Sequence, residues 1–143
     1  MMAEIFNKPQ AQGQYKTASR FNNFIFTAGM TPRRNGELIF SGQVKLNDEL
    51  AVHKEAVELA VHNALTAARS VLQEEEKIIL VLLMTVYINA EDGFIKHTKL
   101  ADFASAFLAK ELGEQNVGSR VAIGVSSLPG NALVEIQLTV VSG

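Results

Sequence analysis

Arg120 and Glu135, near the end of the chain, are the residues whose types and spacing are suited to chemistry. Arg120 opens a run of strand-forming residues at 120–125, and Glu135 lies inside a second such run at 132–141. If the two runs pair as a hairpin, alternation along the strands places Ala122 opposite Glu135. The predicted hairpin therefore gives Arg120 and Glu135 one shared face, lined by small residues.

This pair of residues fits the recognition of a small organic acid beside a reacting water. An arginine held by a strand can bind a carboxylate through two parallel hydrogen bonds, and a nearby glutamate can orient or deprotonate a water molecule. The alternative is an ion pair between Arg120 and Glu135 at a subunit interface, and spacing alone favours that alternative. The residue pattern by itself leaves both interpretations open.

Apolar residues on the other side of the predicted hairpin indicate where the sheet meets its helices. Val121 and Ile123 alternate with the polar or small residues of the first run, and Val134 and Ile136 do so in the second. Because alternate residues of a strand point to opposite faces, these four are predicted to pack together against helices. The polar pair would then lie on the face away from the helices.

The composition is typical of one globular domain. A chain of 143 residues with 48% hydrophobic content can bury one core and is too short for two ordinary domains, so one domain is predicted over 1–143. The net charge is -2, from 13 basic and 15 acidic residues without a long basic block. Such a surface has no bulk attraction for a phosphate backbone, and nucleic acid is not an expected partner.

The inventory of metal-binding and nucleophilic residues is small. The chain contains no cysteine, which excludes disulfides, thiolate metal ligands and a cysteine nucleophile. His53 and His62 lie nine residues apart on a predicted helix, the wrong spacing for one metal-binding face, and His97 stands alone. We therefore expect neither a metal nor a cofactor.

The chain carries no sign of membrane insertion or export. Polar residues at Glu4, Asn7 and Lys8 interrupt the apolar stretch that a signal peptide would need. The longest apolar run, 78–88, is well short of the roughly 20 residues that cross a bilayer. We therefore expect a cytoplasmic protein without a membrane partner, in which 78–88 is a buried strand.

Hydrophobic periodicity predicts an α/β fold of the α+β kind, with one mixed β-sheet and two helices on one of its faces. The first helix is predicted over 48–72, with an N-cap at Asn47 and a negative first turn at Asp48, and the second from Asp92 to Gly113. A turn at 32–36 joins the first two strands into a predicted hairpin. The predicted strands are 24–26, 37–40, 78–88, 120–125 and 132–141, preceded by an irregular arm through about Gly13.

Two segments near the C-terminus carry a resemblance to a known family. Segment 118–125 reads Gly-Ser-Arg-Val-Ala-Ile-Gly-Val, and segment 128–136 reads Leu-Pro-Gly-Asn-Ala-Leu-Val-Glu-Ile. Both resemble the C-terminal signature of the YjgF/RidA family, also called the L-PSP endoribonuclease family. The family's order of features is also found upstream: Tyr15, then the strand ending at Gly29, then 84–88 followed by Phe94. The resemblance covers about 13–141 and is nearest to the family's longer branch.

The resemblance implies a chorismate-mutase-like fold assembled as a homotrimer, with a central barrel and three sites at subunit interfaces. In active relatives, the residues matching Arg120, Glu135 and Tyr15 bind the substrate carboxylate, help to place the hydrolytic water and line the cleft. Three positions depart from the best-known deaminase pattern. Ala122, Ala28 and Thr98 stand where those relatives often carry cysteine, serine and asparagine, and the contact expected at Ala122 can still come from its backbone carbonyl.

The function implied by the resemblance is hydrolysis of reactive enamines and imines, such as 2-aminoacrylate, to 2-keto acids and ammonia. An imine carbon is already electrophilic, so a placed water and suitable charges suffice without a metal. The alternative is a non-catalytic trimer that binds a small carboxylate through Arg120. A third interpretation, RNA cleavage or inhibition of translation, conflicts with the charge balance and with the lack of a basic stripe with interleaved aromatic residues.

Overall fold

A computed structural model describes residues 8–143 of the chain. The predicted arm through about Gly13 lies partly outside these residues, and 8–13 form neither helix nor strand. Short 3-10 turns at Leu50–His53, Glu114–Asn116 and Pro129–Asn131 connect the main elements. These elements are β1 (Ala18–Phe21), β2 (Phe24–Thr27), β3 (Arg33–Arg34), β4 (Glu37–Leu38), α1 (Lys54–Arg69), β5 (Ile78–Asn89), α2 (His97–Leu112), β6 (Val117–Val125) and β7 (Val134–Ser142).

Five strands form one mixed sheet in the order β1-β2-β7-β5-β6. The long apolar strand β5 lies between the last two strands, parallel to β6 and antiparallel to β7. The predicted hairpin between 120–125 and 132–141 is therefore wrong, although both strands exist. The connection through Pro129–Asn131 carries the chain across β5. The distance from β6 to β7 is about 10 Å, because adjacent strands lie about 5 Å apart.

The predicted hairpin near the N-terminus is also wrong in its partners. Strand β2 pairs with β1, which the sequence pattern did not reveal, and with β7. Strands β3 and β4 form a separate two-stranded hairpin. Its turn residues, Asn35 and Gly36, have positive φ angles of 53° and 82°, the conformation that an Asn-Gly turn adopts readily.

Both helices cover the same face of the sheet, as predicted. Helix α1 presents a row of small residues, including the fully buried Ala60 and Ala64, so that it packs closely on the sheet. Helix α2 contributes Leu100 and Leu108, which are also fully buried. Helix α1 packs on the alternating apolar side of β7, whose buried apolar residues are Val134, Ile136, Leu138 and Val140, and α2 packs on β6 and β5.

The helices differ from their predictions mainly at their N-termini. Neither Asn47 nor Asp92 caps a helix, because α1 begins at Lys54 and α2 begins five residues after Asp92, at His97. Asp48 lies before α1, and its carboxylate accepts a hydrogen bond from the Lys45 backbone N–H at 2.8 Å. Gly113 ends α2 as predicted, with a φ of 99° that suits glycine. Within residues 8–143, neither helix has the length and apolar character needed to cross a membrane.

An ion pair joins the start of the sheet to the loop between α1 and β5. The Arg20 guanidinium donates to both carboxylate oxygens of Glu76, at 2.5 and 2.6 Å, and both side chains are more than four-fifths buried. Glu76 also accepts a hydrogen bond from the Gln73 backbone N–H at 2.7 Å. Arg20 in turn donates to the Val71 carbonyl. The pair therefore fixes an edge strand to the helix layer by several charge-assisted bonds.

Replacing Glu76 with Gln is expected to lower the Tm by a few degrees near neutral pH. The hydrogen bond from Arg20 is the main cause that lowers the pKa of Glu76 from 4.5 to about 2. A carboxyl whose pKa is lower in the folded state stabilises the fold fully above its unfolded pKa. That stabilisation disappears as the pH falls through about 2, so the Tm difference between wild type and variant should shrink on acidification.

Thermal unfolding followed by circular dichroism over a pH series tests this expectation. Glu74→Gln is a matched control, because Glu74 is exposed in the same loop and the charge change is identical. A Tm difference for Glu76→Gln that is constant from neutral to strongly acidic pH would contradict the linkage.

Candidate functional site

A cleft at the rim of the sheet contains Glu135. The cleft is open and has a volume of about 370 Å³. We call it the Glu135 cleft; its walls include Tyr15, Ala28, Gly29, Arg33, Pro129 and Glu135. The end of β2, the first strand of the β3–β4 hairpin and the loop before β7 meet here, so distant parts of the sequence form one concave surface.

Glu135 is half-buried, and its carboxyl is set tightly against the backbone of Gly29. Alternation along β7 places it between the buried residues Val134 and Ile136, on the face away from the helices. Burial raises the pKa of the Glu135 carboxyl above its usual value of 4.5. A Cβ atom on Gly29 would overlap this carboxylate, so only glycine fits without moving Glu135. A glutamate held in this way is suited to accept a proton from water.

Arg120 lies on the opposite side of the sheet, against α2. Its guanidinium donates to the Ser105 hydroxyl at 2.7 Å and to the Thr98 carbonyl at 2.8 Å. It also forms an ion pair with Asp102 at 2.8 Å, and the Asp102 side chain is 64% exposed. These contacts fix the guanidinium while leaving its charge only partly neutralised, by a solvated carboxylate.

The prediction that Arg120 and Glu135 share a face within one chain is wrong. In β5, Val86 pairs with Ala122 on one side and with Ile136 on the other, so Ala122 is level with Ile136 rather than with Glu135. This offset of one residue places Arg120 and Glu135 on opposite faces. Nor do Val121 and Ile123 pack against the helices, because they lie on the open face with 44% and 41% exposure.

The remaining predicted site residues divide between these two places. Tyr15 and Ala28 line the Glu135 cleft, and the Tyr15 hydroxyl accepts a hydrogen bond from the Gln12 backbone N–H at 3.1 Å. Thr98 lies with Arg120, to which it contributes its carbonyl. Ala122 is half-buried and packs against the core on the Arg120 side of β6. The structure thus describes one group around Glu135 and a second around Arg120.

Arg33 is a cleft residue that was not among the predicted site residues. Two arginines in a predicted turn, Arg33 and Arg34, can guide anionic ligands, but the sequence pattern favours exposed charges that only keep a protein soluble. Arg33 is instead half-buried, and it shares the Glu135 cleft. Its burial depends on packing against α1 and on the loop before β7, and no local pattern in the sequence encodes these long-range contacts.

The mixed sheet, the two helices on one face and the rim cleft define a small α+β domain with a ligand-sized site. Comparison with solved structures gives the same fold. The protein Atu1372 of Agrobacterium tumefaciens superposes with a TM-score of 0.83 and 27% identity, over 98% of this chain and 88% of that one. A Shewanella oneidensis protein superposes with a TM-score of 0.82 and 24% identity, over 98% and 95%.

The chain belongs to the endoribonuclease L-PSP family, also known as YjgF/RidA, whose family model matches residues 5–142. A RutC family protein of Pyrococcus horikoshii is 29% identical over 133 residues, which are 92% of this chain and 89% of that protein. The family resemblance predicted from the C-terminal segments is therefore confirmed.

Proposed function

We propose that the protein hydrolyses small carboxylate-bearing imines and enamines to 2-keto acids and ammonia, in clefts formed between copies of the chain. The single observation that carries this proposal is the half-buried Glu135 carboxylate, which is desolvated and held against Gly29 in an open cleft. Membership of the YjgF/RidA family supports it. Because Arg120 and Glu135 of one chain lie on opposite faces, a site that uses both must take them from two copies.

The open face of the sheet supports assembly. Phe24, Phe26, Leu83, Val121 and Ile123 lie on this face, and each is at least 36% exposed. So many large apolar side chains on one face favour coverage by another protein surface. In a homotrimer whose three sheets form a central barrel, the open faces cover one another and each Glu135 cleft lies at a subunit boundary.

The proposed reaction needs only one water and a proton acceptor. Arg120 of one copy binds the substrate carboxylate, which places the imine carbon beside Glu135 of the neighbouring copy. Glu135 accepts a proton while the water oxygen bonds to the imine carbon, and the nitrogen is protonated. The carbon–nitrogen bond then breaks as the carbonyl forms, so imine and water give keto acid and ammonia. Tyr15 and Ala28 form the walls of the cleft.

The direct test supplies imines generated in place by an amino acid oxidase and measures release of keto acid above the buffer rate. Release by the wild type that falls in Glu135→Gln supports the proposal. Keto acid release no faster than in buffer, across several imines, would contradict it. Binding of a 2-keto acid in a calorimeter, without any turnover, would instead favour a non-catalytic binding protein.

The pH dependence of kcat/KM reports on Glu135. The carboxylate must be ionised to accept a proton, and burial raises its pKa above 4.5. Activity is therefore expected to fall as the pH decreases through this raised pKa, at a pH where an exposed glutamate would still be ionised. The buffer rate at each pH is subtracted, because imines also hydrolyse without a catalyst. A profile that stays flat down to the ordinary glutamate range would contradict this role.

The same pKa shift predicts an effect on stability of the opposite sign to that of Glu76. A carboxyl whose pKa is raised in the folded state favours its protonated form, so ionised Glu135 destabilises the fold at neutral pH. Glu135→Gln should consequently unfold at a slightly higher temperature than the wild type near neutral pH. That gain should disappear on acidification. An inactive variant with raised Tm distinguishes loss of function from loss of folding.

A further inference from the structure

We infer that the preferred substrate carries a second anionic group, which Arg33 binds inside the Glu135 cleft. This inference rests on the proposed function and deepens it, since it specifies the class of imine: one with a carboxylate on its side chain. The observations that carry it are the burial of Arg33, the lack of a partner for part of its guanidinium, and its position in the cleft.

Arg33 is a cation whose charge is not neutralised within residues 8–143. Its Nη1 donates to the Gly36 carbonyl at 2.9 Å, but its Nε is out of contact with solvent and has no hydrogen-bond partner there. No carboxylate of the described residues forms an ion pair with it. A half-buried guanidinium without a carboxylate partner is costly, and an anionic ligand in the cleft would neutralise its charge.

The core holds Arg33 in place before any ligand arrives. The buried amide of Asn63, on α1, donates to the carbonyls of Thr31 and Arg33 at 3.1 and 2.8 Å. The β3–β4 pairing, Arg33 opposite Leu38, fixes the backbone from the other side. A cation on a backbone tied to the core in this way loses little conformational entropy on binding, which is the property of a recognition residue.

The cleft brings the guanidinium near the reacting end of the substrate. Arg33 and Glu135 line the same cleft, and Pro129 and Gly130 lie beside the Arg33 Nη2: a Cβ built on Gly130 would be 3.5 Å from it. A ligand anion next to ionised Glu135 alone would be repelled, whereas Arg33 offsets that repulsion. The Arg120 of a second copy remains available for the other carboxylate.

The test compares two imines that differ in one carboxylate: 2-iminoglutarate, from glutamate oxidation, and 2-iminobutyrate. The wild type is expected to prefer 2-iminoglutarate by about 10-fold in kcat/KM, the effect of one charge-assisted hydrogen-bonded pair. Arg33→Met should abolish this preference, because kcat/KM for 2-iminoglutarate should fall about 10-fold further than kcat/KM for 2-iminobutyrate. Arg33→Lys should keep part of it. Arg69→Met removes the same charge far from the cleft, and this variant should keep the full preference for 2-iminoglutarate.

The outcome that overturns the inference is a wild type without preference, or an Arg33→Met variant that loses both substrates equally. A binding experiment separates this failure from failure of the proposed hydrolysis. Calorimetry with 2-oxoglutarate and 2-oxobutyrate needs no turnover, and Arg33→Met should weaken only the first. If neither imine is hydrolysed yet this pattern of binding is found, the hydrolase proposal fails and the Arg33 site stands.

Discussion

In the proposed homotrimer, mixed assemblies of Arg120→Ala and Glu135→Gln chains are expected to recover about one third of the wild-type activity, although each variant alone is nearly inactive. Each substitution by itself should lower kcat/KM by about 100-fold, through loss of a carboxylate contact or of the proton acceptor. The recovery follows from the position of the two side chains on opposite faces of one chain.

The expected fraction comes from counting sites in a ring of three copies. If each site takes Arg120 from one copy and Glu135 from the next, every trimer that contains both variants has one intact site out of three. If both residues came from the same chain, no mixed trimer would have an intact site. The experiment therefore separates a shared site from a site within one chain.

Two affinity tags, one on each variant, allow mixed trimers to be purified after co-expression. The control is a pair of differently tagged Arg120→Ala chains, which must remain inactive. Arg120 also donates to Ser105 and to the Thr98 carbonyl, so its loss could loosen α2. Recovery of activity in mixed trimers would show that the Arg120→Ala chain folds, because an unfolded chain could not place its Glu135 in a shared site. Mixed trimers as inactive as the parents would contradict the shared site.

The sequence predicts the elements of this fold better than their arrangement. Apolar periodicity correctly locates both helices except at their N-termini, and Gly113 correctly marks the end of α2. The run of β-branched and aliphatic residues correctly locates β5. These signals are local, because each depends on residues within one element. The order of the strands is not local: β6 and β7 are neighbours in sequence, yet β5 lies between them. Pairing consecutive strands is a sound first expectation that this sheet does not follow.

The error in strand order determines which site features could be predicted. Residue types identified Glu135 and Arg120, but the face of the sheet on which each side chain lies depends on strand register. A shift of one residue moves a side chain to the opposite face. Arg33 was interpreted as a solubility charge for a related reason. Its position depends on the Asn63 amide of α1, which donates to the Arg33 carbonyl, and on the loop before β7, and residue spacing near Arg33 records neither contact.

The Gly29→Ala variant is expected to fold normally and to lose about 100-fold in kcat/KM, as expected when a reacting group is displaced by about 1 Å. Gly29 is not among the residues with positive φ, so alanine can adopt its backbone conformation. The added methyl group would overlap the Glu135 carboxylate and lie 2.7 Å from its Cδ. Glu135 is a long side chain that can turn away, so the collision moves the carboxylate rather than the backbone.

Two further measurements distinguish displacement of Glu135 from general damage in Gly29→Ala. A carboxylate pushed out of its half-buried position regains water, so its raised pKa should return toward the ordinary value. The acidic limb of the remaining activity should therefore move to lower pH. In the background of Glu135→Ala, where no carboxylate is left to move, adding Gly29→Ala should change activity little. If the acidic limb of the pH profile does not move, or if the losses of the two single variants add in the double variant, Gly29 acts independently of Glu135.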